Sequence, residues 1–359
     1  MKKNFMLMIT VVLVMALLAG CAGTVVVVGD CTCPTEGGNV TVDTQPVVGD
    51  GETPLKTGLA VSTKISDSVS ATAEKNGSAA YDITIAAVTV DENGVIRSCK
   101  LDSVPATVNF DAAGQIVTDL TAVIDTKNEK GANYGMVAYG GAIAEWDAQV
   151  AALCNFAVGK TVEELKNGAV SESGYAPEGT DLASSATIYL GGYVSVIEAA
   201  VNNAKYLGAI DGDELKLVTL NTVGSSVSAT AEKAGTAQLD ANIAVVTVKD
   251  GVISSCIIDA VQAKISFDTA GAITTDLTAA VATKNELGEN YGMKAWGGAA
   301  YEWNEQAASF AAYVTGKTAA EVAGIAVTET TKPADGTDLA ASVTISIGDF
   351  QTLIAKALG

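Results

Sequence analysis

The sequence predicts an α+β fold that occurs twice in tandem, after a signal peptide and a flexible tether. Two observations predict it. The chain repeats its own motifs at a spacing of 158 or 157 residues, and in each repeat β-rich runs come first and helical runs follow. Strands and helices that are segregated in this way are typical of an antiparallel sheet with helices packed against it. We therefore expect two domains of closely similar fold.

The N-terminus predicts export and a lipid anchor. Two lysines precede an apolar run from Phe5 to Leu18, which is shorter than the ~20 residues that a membrane-spanning helix needs. The run ends in "LAGC", a pattern that resembles the signal of bacterial lipoproteins. That resemblance implies a signal peptide over 1–20, cleavage before Cys21, and lipid on the Cys21 sulfur through acyl chains such as palmitate. A plain secretory signal and an uncleaved anchor are the alternatives.

The next segment is rich in Gly, Thr, Asp and Pro and has no helical period. Residues 21–56 are therefore predicted to be the lipidated cysteine and a tether. Cys31 and Cys33 form a C-x-C pattern within it, for which a local disulfide, an intermolecular bond and two free thiols remain open.

Two acyl chains on Cys21 bury enough methylene groups for stable anchoring, at ~0.8 kcal/mol per group. We expect a chain anchored to the cell membrane at its extracytoplasmic face.

Composition excludes several classes of function. The formal charge is −20, and the loss of two lysines with the signal peptide would make it −22. Phosphate backbones would be repelled, so nucleic acid is not expected as a partner. The sequence contains no histidine. This absence rules out Ser-His-Asp and Cys-His nucleophilic sites, zinc held by histidine, and haem attached through C-x-x-C-H. No metal site is predicted.

Self-comparison places the two repeats at 57–207 and 208–359. "VSATAEK" returns 158 residues later, whereas "YGM" returns 157 residues later. The lost residue falls where "VDENGV" becomes "VKDGV", as expected for a hairpin tip that tolerates changes of length. A period this long indicates duplicated domains and excludes a solenoid.

Within each repeat, three or four β-rich runs are separated by turn motifs such as Asp-Gly and "DTAG", which predicts an antiparallel meander. Helices follow. Apolar residues that recur at i, i+4, i+7 and i+11 should face inward; they are Trp146, Val150, Leu153 and Ala157 in the first repeat and Trp303, Ala307, Phe310 and Val314 in the second. Thr161 and Thr318 each stand three residues before a glutamate, a capping-box spacing that begins another short helix.

Three cysteines lie within the repeats. Cys99 and Cys256 occupy matching positions in "GVIRSC" and "GVISSC", and Cys154 has Ala311 as its counterpart. All three cysteines are predicted to be small buried apolar side chains.

A hydroxyl-rich phrase occurs once in each repeat, as "TDLASSATI" at 180–188 and "TDLAASVTI" at 337–345. One interpretation is a strand end and a loop whose hydroxyls cap the following helix. The other is chemical: Thr187 and Thr344 come just before a helical run, and a helix N-terminus is a ready site for a phosphate group. These two interpretations remain open at the level of the residues.

The first phrase resembles the D-x-x-S-G-A-T signature of FMN-binding domains, in which a separate flavin transferase esterifies the final Thr to the FMN phosphate. Asp181, Ser184 and Thr187 match the signature, and Ser185 stands in place of its glycine. The resemblance implies that these four residues bind the cofactor, with FMN attached covalently through Thr187.

The second phrase matches the signature less completely. Asp338 and Thr344 are present, but Ala341, Ser342 and Val343 replace the residues between them. The resemblance implies that Asp338 and Thr344 are the corresponding cofactor-binding residues. We expect the first copy to be favoured, because Val343 adds bulk beside the threonine.

A second pair of stretches, "YGMVAYGGAIAEWDAQVAAL" and "YGMKAWGGAAYEWNEQAASF", resembles the Y-G-M … E-W-x-x-Q region of tandem FMN-binding lipoproteins of Gram-positive bacteria. Those proteins are associated with extracellular electron transfer and have His after the Trp, where this chain has Asp147 and Asn304. The resemblance implies further cofactor-binding residues, which are Tyr134, Met136 and Trp146 in the first repeat and Tyr291, Met293 and Trp303 in the second.

The tryptophans suit a flavin without requiring one. Trp146, Trp296 and Trp303 all lie in these two stretches, in a chain with 5% aromatic residues. An isoalloxazine ring needs flat apolar faces, and stacking contributes ~0.5–1.5 kcal/mol beyond burial. The alternative is that Trp146 and Trp303 anchor their helices in the core.

Together these features predict a membrane-anchored extracytoplasmic carrier of FMN in electron transfer. The implied partners are the membrane, a flavin transferase and a redox partner. The alternative is a cofactor-free surface lipoprotein that acts as a binding or structural module. A carrier is favoured over an enzyme with its own substrate, because the redox chemistry would belong to the flavin and no histidine base or carboxylate pair is recognisable.

Overall fold

The computed structural model describes residues 52–359, which belong to one compact unit. The predictions for the signal peptide, Cys21, Cys31 and Cys33 lie outside the described residues. The described chain is α+β, with two antiparallel sheets and helices, so the predicted fold class is confirmed at that level. The finer prediction of duplicated domains over 57–207 and 208–359 stays a prediction. Those two ranges are called the first half and the second half below.

The sheets are built from strands of the expected meanders. In chain order the strands are β1 (Pro54–Lys64), β2 (Gly77–Val90), β3 (Ile96–Phe110), β4 (Lys205–Ile210), β5 (Glu214–Thr222), β6 (Gly235–Lys249) and β7 (Val252–Phe267). The first sheet has the order β3-β2-β1-β4 and the second has the order β5-β6-β7. All neighbouring pairs are antiparallel.

Turn residues explain the tight hairpins. Between β6 and β7, Asp250 and Gly251 have φ values of 52° and 78°, the geometry of a type I′ turn, which favours Asp-Gly. The turn between β2 and β3 is longer and is closed by the Asp91 carboxylate, which accepts hydrogen bonds from the N–H groups of Asn93 and Val95. The change of length between the repeats therefore falls at a hairpin tip, as predicted.

The helices follow the strands in each half. In the first half they are α1 (Lys127–Lys130), α2 (Met136–Gly140), α3 (Trp146–Ala157), α4 (Val162–Ala169), α5 (Asp181–Ser185) and α6 (Gly191–Asn202). In the second half they are α7 (Lys284–Leu287), α8 (Met293–Gly297), α9 (Trp303–Val314), α10 (Ala319–Ala323) and α11 (Gly348–Leu358). Short 3₁₀ turns occupy Gly131–Tyr134, Gly288–Tyr291 and Asp338–Ala341.

Several local predictions are confirmed. The apolar positions predicted to face inward on α3 and α9 are all buried. Thr161 and Thr318 cap α4 and α10 through reciprocal capping boxes with Glu164 and Glu321. Cys99, Cys154 and Cys256 are buried free thiols.

The core lies in layers, because the strands are apolar on both faces where they are covered on both sides. In β2, Ile83 and Ile85 belong to a cluster shared by the two sheets, whereas Ala86 and Val88 belong to a cluster with the helices of the first half. Helices α3 and α6 pack on the first sheet, and α9 and α11 pack on the second. Full burial of one Ile or Phe side chain contributes ~1.5–3 kcal/mol, so the face between the sheets is a substantial source of stability.

Two boundaries differ from the sequence-based expectation. Strand β1 begins at Pro54, so the end of the predicted tether 21–56 is part of a sheet. Strand β4 crosses the expected boundary after residue 207 and pairs with β1. The physical reason is that β1 would otherwise present an unpaired edge, which β4 satisfies.

Candidate functional site

The start of α3 organises the predicted site in the first half. Glu145 is the residue before the helix, and its carboxylate accepts hydrogen bonds from the N–H groups of Met136 at 2.8 Å and Val137 at 3.0 Å. These are the first N–H groups of α2, where negative charge is favourable. Glu145 therefore fixes the Y-G-M segment against α3.

Gln149, one helical turn further on, holds the hydroxyl-rich phrase. Its side chain is fully buried. The amide oxygen accepts hydrogen bonds from Thr187 N at 2.8 Å, Ile188 N at 3.2 Å and Thr187 Oγ1 at 3.3 Å. The amide nitrogen donates to the carbonyl of Ala144 at 2.8 Å. Gln149 thus joins Thr187 to the helix that carries Trp146.

The second half contains the same contacts. The Glu302 carboxylate accepts from the N–H groups of Met293 at 2.8 Å and Lys294 at 3.0 Å. The Gln306 amide oxygen accepts from Thr344 N at 2.7 Å and from Thr344 Oγ1 at 3.2 Å. In both halves, therefore, the glutamate of E-W-x-x-Q holds the Y-G-M segment and the glutamine holds the predicted attachment threonine.

Thr187 and Thr344 themselves are exposed. Each lies four residues before a long helix, α6 or α11, and neither caps it, because the residues at the N-cap positions are Leu190 and Ile347. The expectation that hydroxyls of the phrase cap the following helix is therefore wrong. Thr180, at the start of the first phrase, instead caps the short helix α5.

The remaining predicted residues of the phrase lie on that short helical turn. Asp181 and Asp338 are exposed at its first position. The hydroxyls of Ser184 and Ser185 donate to the carbonyl of Asp181, at 2.7 Å and 3.1 Å. The hydroxyls of these serines are therefore engaged by their own helical turn.

The expected effect of Val343 is also corrected. Val343 is 1% exposed, as is Ala186 at the matching position of the first half. Its added bulk faces the core, because the residue before each threonine packs beneath the phrase. It does not stand between Thr344 and solvent.

The predicted aromatic residues form a buried cluster in each half. Trp146 is 3% exposed and Trp303 is 6% exposed, so their ring faces are covered. Trp146 donates from Nε1 to the Tyr193 hydroxyl at 2.9 Å, and Trp303 packs edge-on against Phe350. The alternative that these tryptophans anchor their helices in the core is confirmed. Tyr134, Met136, Tyr291 and Met293 are half-buried at the rims of the same cores.

A lysine lies over each aromatic cluster. Lys127 Nζ is 5.6 Å from the ring centroid of Tyr134 and 5.2 Å from that of Trp146, and it pairs with the Asp82 carboxylate at 3.4 Å. Lys284 Nζ lies 5.1 Å from the ring centroid of Tyr291 and 4.9 Å from that of Trp303. Such cation–π contacts stabilise the cluster by ~0.5–2 kcal/mol. Lys127 and Tyr134 also line a cavity of about 130 Å³.

A buried carboxylate supports each lysine-bearing helix. Asp102 accepts hydrogen bonds from the N–H groups of Ser103 and Asn128, and Asp259 accepts from those of Ala260 and Asn285. Burial raises the pKa of each carboxyl to about 6, although these hydrogen bonds oppose the rise. At neutral pH, burial therefore disfavours the charged form of both carboxyls.

Two exposed aromatic side chains stand at matching positions that were not predicted as site residues. Tyr139 is 92% exposed and Trp296 is 82% exposed. Gly135 and Gly292 have φ of 83°, and a Cβ on Gly292 would lie 2.2 Å from the Trp296 ring. Glycine is therefore needed at these positions, both for the backbone conformation and for the ring above it.

Sequence reasoning placed the threonines and tryptophans but missed the residues that join them. Glu145, Gln149 and Lys127 in the first half were not predicted as site residues. The available signal was the recurrence of E-W-x-x-Q in both halves, where a helical spacing of one turn puts the glutamate, tryptophan and glutamine at one end of a helix.

We compared the chain with protein-family models, with curated proteins and with solved structures, and none of these comparisons found a match. The resemblance to FMN-binding domains therefore rests on the motifs. Over residues 52–359, no group of three or more His, Cys, Asp or Glu side chains could hold a metal ion. In the same range, no helix is long and apolar enough to cross a membrane.

Proposed function

We propose that this protein is a lipid-anchored extracytoplasmic carrier of FMN in electron transfer, with two FMN-binding-like domains over 57–207 and 208–359. Cys21 would bear the lipid. A flavin transferase would attach FMN to Thr187 and, with a poorer signature, to Thr344. The alternative is a cofactor-free surface lipoprotein that binds a partner or has a structural role.

The observation that carries the proposal is the arrangement of the threonines. Thr187 and Thr344 are exposed, and each donates its hydroxyl and its backbone N–H to a buried glutamine. A hydroxyl that is fixed in position on an exposed residue is what a separate transferase would need as an acceptor. The same contact in both halves supports a common role.

The described residues fit covalent attachment of FMN at the threonines better than stacking of the flavin ring on Trp146 or Trp303. The buried faces of Trp146 and Trp303 leave no room for a flavin ring. The cavity of about 130 Å³ at Lys127 and Tyr134 is smaller than the ~300 Å³ of typical small-molecule sites. Tyr139 and Trp296 offer open aromatic faces instead. We therefore assign any stacking to these two exposed rings.

FMN, when bound, would supply the ability to accept and release electrons. The chain would supply attachment at Thr187, orientation of that threonine through Gln149, and an aromatic face at Tyr139. The charge of −20 would bias the carrier toward a positively charged redox partner.

The test is production of the protein together with an active flavin transferase, followed by intact-mass measurement and in-gel flavin fluorescence. We expect a gain of one FMN mass, or two if the second half is also modified. Thr187→Ala should remove most of the flavin, and Thr344→Ala should remove little. Thr352→Ala, an exposed threonine on α11, is the matched control and should change nothing. If no flavin is found with an active transferase, the carrier proposal falls and the binding module remains.

The exposed rings of Tyr139 and Trp296 favour the second candidate function, a cofactor-free binding module. Tyr139 and Trp296 are large aromatic side chains that the core does not use, and aromatic residues are enriched where proteins bind partners. Unmodified protein that retains a partner through these rings would be a binding module.

Lipid anchoring has its own test. Cys21→Ala should abolish labelling by a fatty-acid analogue and move the protein from the membrane fraction to the medium. Cys31→Ala is the control, since it leaves the lipoprotein motif intact. Continued labelling of Cys21→Ala would eliminate Cys21 as the lipid-bearing residue.

A further inference from the structure

Two thiols of the first half are in contact within its core. Cys99 Sγ and Cys154 Sγ are 3.4 Å apart, and the residues are 7% and 6% exposed. Cys99 lies on β3 and Cys154 on α3. The contact therefore joins the sheet to the helix that positions Thr187.

The second half lacks this pair. Cys256 on β7 is buried and free, and the position that matches Cys154 is Ala311 on α9. The two halves thus provide one helix–sheet contact with a thiol pair and one with a single thiol. Cys256 is an internal control for a buried cysteine without a partner.

We propose that Cys99 and Cys154 are a disulfide-forming pair that links β3 to α3 covalently. A disulfide has an S–S distance of ~2.05 Å, so the sulfurs need to approach by a little more than one ångström from their observed contact. That movement is within the reach of side-chain rotation and small adjustments of the helix. The proposal does not depend on flavin binding.

The oxidant is a small-molecule disulfide such as oxidised glutathione, and the exchange is balanced. The thiolate of one cysteine attacks a glutathione sulfur and releases one glutathione as its thiol, which leaves a mixed disulfide. The second cysteine then attacks the protein sulfur and releases the second glutathione. The protein loses two protons and two electrons, and the oxidant is reduced to two thiols.

Burial determines when this exchange can occur. Both sulfurs are buried in the core of the first half, and the hydrogen bond that the Cys99 thiol donates to Cys154, together with burial, raises the pKa of the Cys99 thiol. Because the thiolate is the reacting form, the folded reduced protein should react slowly. We expect the bond to form during folding and then to resist external reductants.

The test is refolding of the full chain, after complete reduction in denaturant, with oxidised and reduced glutathione. Free thiols are then alkylated in denaturant and the protein is digested with trypsin without reduction. We expect a cross-linked pair of peptides, 98–100 and 131–160, which contain Cys99 and Cys154 respectively, while Cys256 is alkylated. Recovery of Cys99 and Cys154 in alkylated form from the folded protein would overturn the proposal, as would a link from either to Cys256.

Two variants and a stability measurement sharpen the test. Cys154→Ala copies the residue at the matching position of the second half and should fold without the cross-link, whereas Cys256→Ala should retain it. The loop closed by the bond spans 55 residues, so the oxidised protein should unfold at a temperature on the order of 8 °C higher than the reduced protein. If Cys154→Ala does not fold, peptide mapping of the wild-type chain still decides.

Discussion

The rings of Phe110 and Phe267 stack face to face between the two sheets, with centroids 4.0 Å apart and planes 2° apart. They occupy matching positions of the two repeats, so each ring meets its own counterpart. A self-complementary contact of this kind is typical of an interface with two-fold symmetry. Gly77 and Gly235 leave space beside these rings, because a Cβ on either would lie less than 2.5 Å from a ring carbon.

Replacement of either ring should weaken the whole described unit. Phe110→Ala and Phe267→Ala each remove a fully buried side chain, so each should lower the free energy of unfolding by ~3–5 kcal/mol. The double variant should depart from additivity by ~0.5–1.5 kcal/mol, because one contact is lost in both single variants. Chemical denaturation measures these values. Val123→Ala, at a position 83% exposed, is the control, and equal stability of Phe110→Ala and wild type would contradict the shared core.

The buried carboxyls predict a specific pH dependence. Asp102 and Asp259 have a folded-state pKa of about 6 instead of 3.8, so the folded state binds the protons more tightly. Their contribution to stability is largest below pH 4 and is lost as pH rises through 6. A rise of this size corresponds to ~3 kcal/mol per group. Asp102→Asn keeps an oxygen for the two N–H donors and should therefore be more stable than wild type at pH 7, with the difference vanishing near pH 4.

An exposed aspartate provides the opposite control. The pKa of Asp119 is lowered by hydrogen bonds from Thr121, so its contribution is present at neutral pH and is lost as pH falls. Asp119→Asn should therefore be less stable than wild type at pH 7. Denaturation curves at pH 7 and pH 4 measure the effect of Asp102, whereas curves at pH 7 and below pH 3.8 measure the effect of Asp119, because its contribution is lost only as pH falls through its lowered pKa. The prediction for Asp102 fails if its Asn variant shows the same pH dependence as wild type.

The hydrogen bonds that Gln149 accepts predict that the backbone amides of Thr187 and Ile188 are protected from hydrogen exchange. Gln149→Ala leaves the N–H groups of Thr187 and Ile188 without their acceptor, which should cost ~1–3 kcal/mol. Hydrogen exchange of these two amides should accelerate, while the amide of Val194 in α6 should keep its rate. Gln149→Glu retains an acceptor oxygen and should restore much of the protection. Unchanged exchange at Thr187 in Gln149→Ala would show that the contact does not order the segment.

The turn at Gly174, which Thr331 matches in the second half, predicts that substitutions of Gly174 and Tyr189 compensate each other. Gly174 has φ of 80°, and a Cβ there would lie 2.2 Å from the Tyr189 ring. The matching residues of the second half are Thr331, with φ of 57°, and Ser346, whose hydroxyl contacts that threonine. Gly174→Thr should destabilise the protein by ~2 kcal/mol through the clash and the left-handed backbone.

The compensating change tests the cause of that loss. Tyr189→Ser removes the ring, so the double variant should recover part of the stability lost in Gly174→Thr. Thermal unfolding of the four proteins provides a complete double-mutant cycle. Strict additivity would mean that backbone strain alone, without the clash, destabilises Gly174→Thr.

Local features of the fold could be predicted from the sequence because they depend on neighbouring residues. The inward stripe of α9 follows from helical spacing, and the capping box of Thr318 needs only Glu321 three residues later. The hairpin tip at Asp250 follows from its glycine neighbour. The path of the chain at β4 could not be predicted in this way, since its pairing with β1 satisfies an edge that lies far away in sequence.

In the candidate site, too, the sequence predicted local features but not long-range contacts. The motifs singled out Thr187 and Trp146, but the contact between Thr187 and Gln149 spans 38 residues. The same sequence evidence left Trp146 open as either a stacking face or a core anchor, because a helical stripe states which residues share a face and not what covers that face. Burial by the sheet and Tyr193 decides for the core.

By itself, the sequence determined the α+β class, the repetition of motifs, the buried stripes of α3 and α9, and the threonines that stand before α6 and α11. Only the tertiary structure decided that the tryptophans are covered, that buried glutamines hold the threonines, and that two cysteines meet. The physical reason is that periodicity and caps arise from interactions within a few residues. Burial and long-range hydrogen bonds arise only when distant segments pack together.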